Sequence, residues 1–100
     1  KAGTEKLVNT LAAEMAQYNI RVNTISPGPV MTPLTDQLRN DKLWNDAYTT
    51  KPALQRWAQP NELAGGIIYL LSDASSYVTA SNLRIDAGWI NVDGRFNPNI

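Results

Sequence analysis

Apolar residues recur at helical spacing through the first seventeen positions: Leu7, Val8, Leu11 and Met15, with alanines at 12 and 16. That period predicts an amphipathic helix over 1–17. Asn19, a residue that tolerates the left-handed backbone closing a helix, predicts its end. The pattern then changes. Ile20 to Ser26 (IRVNTIS) is rich in β-branched residues and almost continuously apolar, which predicts a strand buried on both faces. Pro27-Gly28-Pro29 ends it abruptly.

Thr32 followed by Pro33 has the form of an N-cap with proline at the first helical position. It predicts a short helix to about Arg39, and a second helix is predicted from Asp41 to about Thr49. The stretch 33–58 is polar, with aromatics interspersed, and has the pattern of a mobile insertion more than of a core. Pro60-Asn61-Glu62 opens a stronger helix, with an acid placed to favour its N-terminus. Its apolar face is Leu63, Ile67, Leu70 and Leu71. Gly65 and Gly66 inside it each cost about 1 kcal/mol against alanine, which close approach to a neighbouring element is expected to offset. Ser72 to Ser81 is turn-rich. Asn82 to Asp86 alternates apolar and polar positions and predicts a second strand, followed by a polar tail over 90–100.

The predicted order is helix, strand, helical excursion, helix, strand. Two strands joined through helices are expected to be parallel, with a right-handed crossover. Two strands alone rarely hold a domain together. The chain also opens inside a helix with no N-cap before it. It is therefore expected to be part of a larger α/β sheet whose other strands come from preceding sequence or another chain.

Composition narrows the chemistry. The 100 residues contain no His and no Cys, which removes imidazole bases, thiol nucleophiles, disulfides and zinc-finger ligand sets, and no dense carboxylate cluster suggests a metal. Nine basic and nine acidic residues cancel, and the basic ones are scattered, against a nucleic-acid partner. No apolar run nears the roughly 20 residues of a membrane span. The opening Lys-Ala-Gly-Thr-Glu has no apolar stretch behind it, so a cytoplasmic protein is expected.

Several short stretches carry a resemblance. They are Lys1-Ala2-Gly3, Leu11-Ala12-Ala13-Glu14, Ile20-Arg21-Val22-Asn23, Ser26-Pro27-Gly28-Pro29-Val30-Met31-Thr32, Pro60-x-Glu62-Leu63-Ala64, Leu70 through Thr79, and Leu83-Arg84-Ile85-Asp86-Ala87-Gly88. In this order and spacing the chain resembles the short-chain dehydrogenases/reductases over residues 1 to about 89. The resemblance implies the C-terminal portion of a Rossmann-like, doubly wound parallel sheet within a single NAD(P)-binding domain. It implies an NAD(P)-dependent oxidoreductase moving hydride between the nicotinamide and an alcohol/carbonyl substrate. It also implies a homo-oligomer, dimer or tetramer, meeting through the last helix and strand. Two positions depart from the family: Ala80 and Ala87 stand where glycine is usual.

The resemblance also implies roles. Lys1 corresponds to the lysine of the Tyr-x-x-x-Lys motif, which holds the nicotinamide ribose hydroxyls and lowers the pKa of the tyrosine. A fixed cation beside a phenol favours the phenolate a general acid/base needs. The tyrosine position and the glycine-rich phosphate loop would precede Lys1, so these 100 residues alone are expected to be catalytically incomplete. Pro27, Gly28, Val30 and Thr32 are cofactor-binding positions, consistent with ligand binding beyond the carboxyl ends of parallel strands. A plain loop with Thr32 as N-cap accounts for the same residues and is compatible with that role, because a helix N-terminus itself attracts anions. Met31, Leu34, Leu38, Trp44, Tyr48 and Trp57 are the substrate-pocket candidates, against ordinary anchoring of short helices. A non-catalytic relative, keeping the fold as a binding or oligomerisation module, is the alternative.

Overall fold

The computed structural model describes residues 2–92; Lys1 and the tail from 93 onward lie outside the described residues. The described elements are α1 (Ala2–Met15) with a 3-10 turn at Ala16–Tyr18, β1 (Thr24–Pro27), and a 3-10 turn at Pro33–Thr35 running into α2 (Asp36–Asn40). Then come α3 (Lys42–Thr50), a 3-10 turn at Pro60–Glu62 leading to α4 (Ala64–Leu71), a 3-10 turn at Asp73–Ser75, and β2 (Asn82–Ile85). The chain divides into two compact units, Lys1–Ser26 with Ala64–Arg84, and Pro27–Leu63 with Ile85–Ile100.

The first unit is tied by long-range polar bonds. Asn19 closes α1 and its 3-10 extension in the left-handed conformation (φ 59°), as its side chain allows. Ala12, on α1, is buried. Arg21 then donates to Ser75 Oγ (2.9 Å) and to the carbonyls of Val78 (3.1 Å), Leu70 (3.0 Å) and Ser72 (3.2 Å). A cation there satisfies carbonyls that the end of α4 leaves unpaired. Ser75, which the guanidinium holds, is itself buried.

The two strands form a parallel pair. Thr24 N donates to Ser81 O (3.0 Å) and, four residues on, Gly28 N donates to Ile85 O (2.9 Å), so the register offset is constant. Strand β1 is shorter than the Ile20–Ser26 expectation. Over residues 21–23 the backbone bonds to side chains and to a turn instead of a ladder. Val22 N donates to Thr79 Oγ1 and Ala80 N to Val22 O, while the Asn23 amide bonds Val78 O and Ser81 N. Ala80 has φ 57°, which bends the partner segment out of extended form just before β2 begins. The expected double-sided burial is also not reached: Ile20 is exposed and residues 21–26 are half-buried.

Helix α4 is apolar in sequence, yet Ile68 and Leu71 are 64% and 81% exposed. A Cβ placed on Gly65 would meet nothing within 4 Å, so the close approach expected of that glycine is not made among the described residues. The second unit, conversely, holds Trp57 and Pro52, both buried. Within 33–58 these are the buried positions, while most of the stretch, including Leu34, Leu43 and Leu54, is exposed.

Candidate functional site

The turn Pro27–Thr32 leaves the carboxyl end of β1. Gly28 is required there: a Cβ would lie 2.8 Å from Asp86 Cα and 3.0 Å from Asp86 O, both backbone atoms. The chain next makes a single parallel bridge between Val30 and Ala58. Its bonds come from the neighbours of Val30, Ala58 N to Pro29 O (2.8 Å) and Met31 N to Ala58 O (2.9 Å). In a parallel bridge this places the amide of Val30 itself on the opposite edge, where it has no acceptor among the described residues. The turn thus offers a backbone donor at a strand's carboxyl end, followed by a helical N-terminus.

The far side of the turn is held by hydroxyl bonding. Thr32 has extended backbone (φ −138°, ψ 165°) and Pro33 opens the helical turn behind it. Thr32 N donates to Thr35 Oγ1 (3.0 Å), and that hydroxyl's proton is shared between Val30 O (2.9 Å) and Thr32 O (3.0 Å). The Thr-x-x-Thr spacing is a capping-box signal that sequence reasoning passed over. Arg39, which carried no signal in the sequence, donates from Nη2 to Thr32 O (3.1 Å) and pairs with Asp36.

The pocket candidates do not form one group. Trp44, Tyr48 and Trp57 do cluster: the Tyr48 ring lies 6.3 Å from that of Trp44 and 5.3 Å from that of Trp57. Trp89, well outside the 33–58 stretch, completes the group at 5.7 Å from Tyr48, with Lys51 Nζ 4.8 Å over its face. Trp57 is pinned further by its indole N–H to Asn45 Oδ1 (2.7 Å). Met31 is elsewhere, its sulfur accepting from Gln59 Nε2, Leu38 is half-buried, and Leu34 is 91% exposed.

A small cavity of about 110 Å³ adjoins the turn, lined in part by Gly28, Pro29, Leu54, Arg56, Glu62 and Asp86. Arg56 grips Glu62 with both terminal nitrogens at 2.8 Å, and Glu62 also accepts from Gln59 N at 2.9 Å. The guanidinium bonds first, and the Gln59 amide second, hold the Glu62 carboxyl well below the ordinary range, at about 2. Asp86 caps the turn after β2, accepting from Gly88 N (3.0 Å) and Ile90 N (3.4 Å). Among the described residues no cluster of three or more metal-ligating side chains occurs, and no helix is long and apolar enough to cross a membrane. Lys1, the expected catalytic and ribose-binding residue, lies outside the described residues.

Residues 1–90 match the family model described as Enoyl-(Acyl carrier protein) reductase. The chain is 47% identical over 91 residues to D-arabinitol 2-dehydrogenase (ribulose-forming) of Scheffersomyces stipitis, an overlap of 89% of this chain and 33% of that protein. Among solved structures it is similar to a short-chain type dehydrogenase/reductase from Mycobacterium marinum, with 38% identity, a TM-score of 0.82, and coverage of 92% of this chain and 35% of that one. It is also similar to 4-hydroxyisoleucine dehydrogenase complexed with NADH, with 34% identity, a TM-score of 0.86, and coverage of 92% and 38%. The chain spans about a third of the length of the curated relatives it matches.

Proposed function

Because the chain belongs to the short-chain dehydrogenases/reductases, we propose that it supplies the nicotinamide side and the substrate wall of an NAD(P)-dependent oxidoreductase acting on an alcohol/carbonyl pair. The observation that carries this reading is the Pro27–Thr32 turn: a glycine pressed on backbone, a Val30 amide outside its own bridge, and a helical N-terminus at one strand end. The cofactor, when bound, supplies or accepts the hydride. Val30 donates its amide to the nicotinamide carboxamide. Thr32, at the helical start, meets the carboxamide or the diphosphate. Pro27 and Gly28 set the backbone path that brings both there.

Lys1 holds the ribose hydroxyls and keeps the phenol of a tyrosine four residues before it ionisable near neutrality. Residues 33–58 form the substrate side, with Met31, Leu34, Leu38, Trp44, Tyr48 and Trp57 as wall residues. The Scheffersomyces relative supports a small polyol and its ketose as the substrate class. The exposed apolar side chains of α4 support a homo-oligomer.

The test uses the full-length enzyme. NADH and NADPH are titrated against tryptophan fluorescence, and D-arabinitol oxidation is assayed with both oxidised cofactors. Binding of one dinucleotide and polyol-dependent reduction of its oxidised form are expected. Lys1→Met should lower turnover at neutral pH and move the activity profile to higher pH. A protein that binds neither dinucleotide overturns the reading.

A further inference from the structure

The carbonyl of Thr32 collects three donors. Thr35 N reaches it at 3.0 Å, Thr35 Oγ1 at 3.0 Å and Arg39 Nη2 at 3.1 Å. All three come from the 3-10 turn and α2 that follow. Helix α2 has only five residues, too few to be stable by its own hydrogen bonds. Nor does apolar anchoring hold it firmly, since Leu34 is 91% exposed and Leu38 only half-buried. Its polar ties to Thr32 and Val30 therefore fix both partners at once. Arg39 stays in place although its Nε is buried without a partner among the described residues, an unfavourable state for a charged donor. An exposed ion pair with Asp36 alone is too weak to hold the side chain there.

We propose that Arg39 is a positioning residue for the cofactor turn, its guanidinium acting with the Thr35 hydroxyl to hold the Val30–Thr32 backbone in the form that receives the nicotinamide end. The inference rests on the reading that this turn meets the cofactor. Arg39 acts through the Thr32 carbonyl. Its loss therefore raises the cost of ordering the turn at the moment of binding, and the effect falls on the dinucleotide.

The experiment measures NADH or NADPH affinity by tryptophan fluorescence, steady-state kinetics and thermal midpoint in the full-length enzyme. Arg39→Ala is expected to weaken dinucleotide binding and raise its KM by about tenfold, the size of one charged hydrogen bond, with a much smaller change in kcat. Arg39→Lys, which keeps a donor within reach of the Thr32 carbonyl, should recover part of the loss. Asp36→Asn, which removes only the exposed ion pair, should leave affinity unchanged. If Arg39→Ala does not fold, Thr35→Val gives the same comparison by removing the hydroxyl bonds alone. Unaltered dinucleotide affinity in the folded variant, with the parent enzyme binding normally, overturns the role of Arg39 and spares the cofactor reading. Failure of the parent enzyme to bind either dinucleotide overturns both.

Discussion

Ala80 and Ala87 stand on either side of β2, and both have left-handed backbone, with φ 57° and 55°. A residue with a Cβ costs roughly 1–2 kcal/mol in that region, whereas glycine enters freely but loses more entropy on folding, about 0.5–1 kcal/mol. The difference favours glycine. Ala80→Gly and Ala87→Gly are each expected to raise the stability of the full-length enzyme by about 0.5–1 kcal/mol, read from urea denaturation. The two departures from the family's glycines were visible in the sequence, and their backbone consequence has the sign those departures imply. Arg21 was not legible in the same way. It sits among apolar and β-branched neighbours, and its four acceptors lie 49 to 57 residues further on, where no local pattern reaches. Glu62 shows how a helix-start acid becomes more than a dipole partner. Its carboxyl is depressed to about 2 by Arg56 and the Gln59 amide, so its contribution is complete above the ordinary carboxylate range. That contribution fades as pH falls below about 4.5 and is lost through about 2. A carboxyl-carbon NMR titration should place the Glu62 midpoint near the low value, and Arg56→Gln should return it toward 4.5.

Among the elements, the helices were legible because each carries its signal within a few residues. The Asn19 close, the Thr32-Pro33 start and the Asp41 cap, which accepts from Leu43 N and Trp44 N, are all local. Strand ends were not, because they depend on where a distant segment stays extended. The aromatic grouping within the 33–58 excursion was hidden for a similar reason. Its aromatics are spaced too irregularly to show a face, but Trp44, Trp57 and Trp89 gather around Tyr48, and Trp89 is a partner that only the fold brings near. The excursion is thus anchored through α3, while the exposed Leu34 lies in the segment before it. Trp57→Ala is expected to cost about 3–5 kcal/mol, as for other buried aromatics. Trp57→Phe should cost about 1 kcal/mol, chiefly the lost indole bond to Asn45. Denaturant titrations of the two variants measure both values, and equal losses would mean that the hydrogen bond and not the packing is the anchor.

At the scale of the molecule, the turn that carries the proposed cofactor contacts exists only once β1 and β2 are paired, and the pairing joins residues 57 apart in the chain. The Arg21 and Asn23 bonds span similar distances. Closing such a loop is an entropic cost met before any of its contacts form, so these contacts come late. In refolding followed by pulsed hydrogen exchange, amides of α1 should gain protection before those of Thr24 and Gly28. If the two strands protect as early as the helix, their pairing is not the slow step. The same separation sets a clock during synthesis. At roughly 5–20 residues per second, a ribosome needs about 3–11 seconds to deliver β2 after β1 has emerged. Through that interval the nascent strand keeps an unpaired edge and an exposed Ile25 side chain, a natural moment for a chaperone to hold the chain.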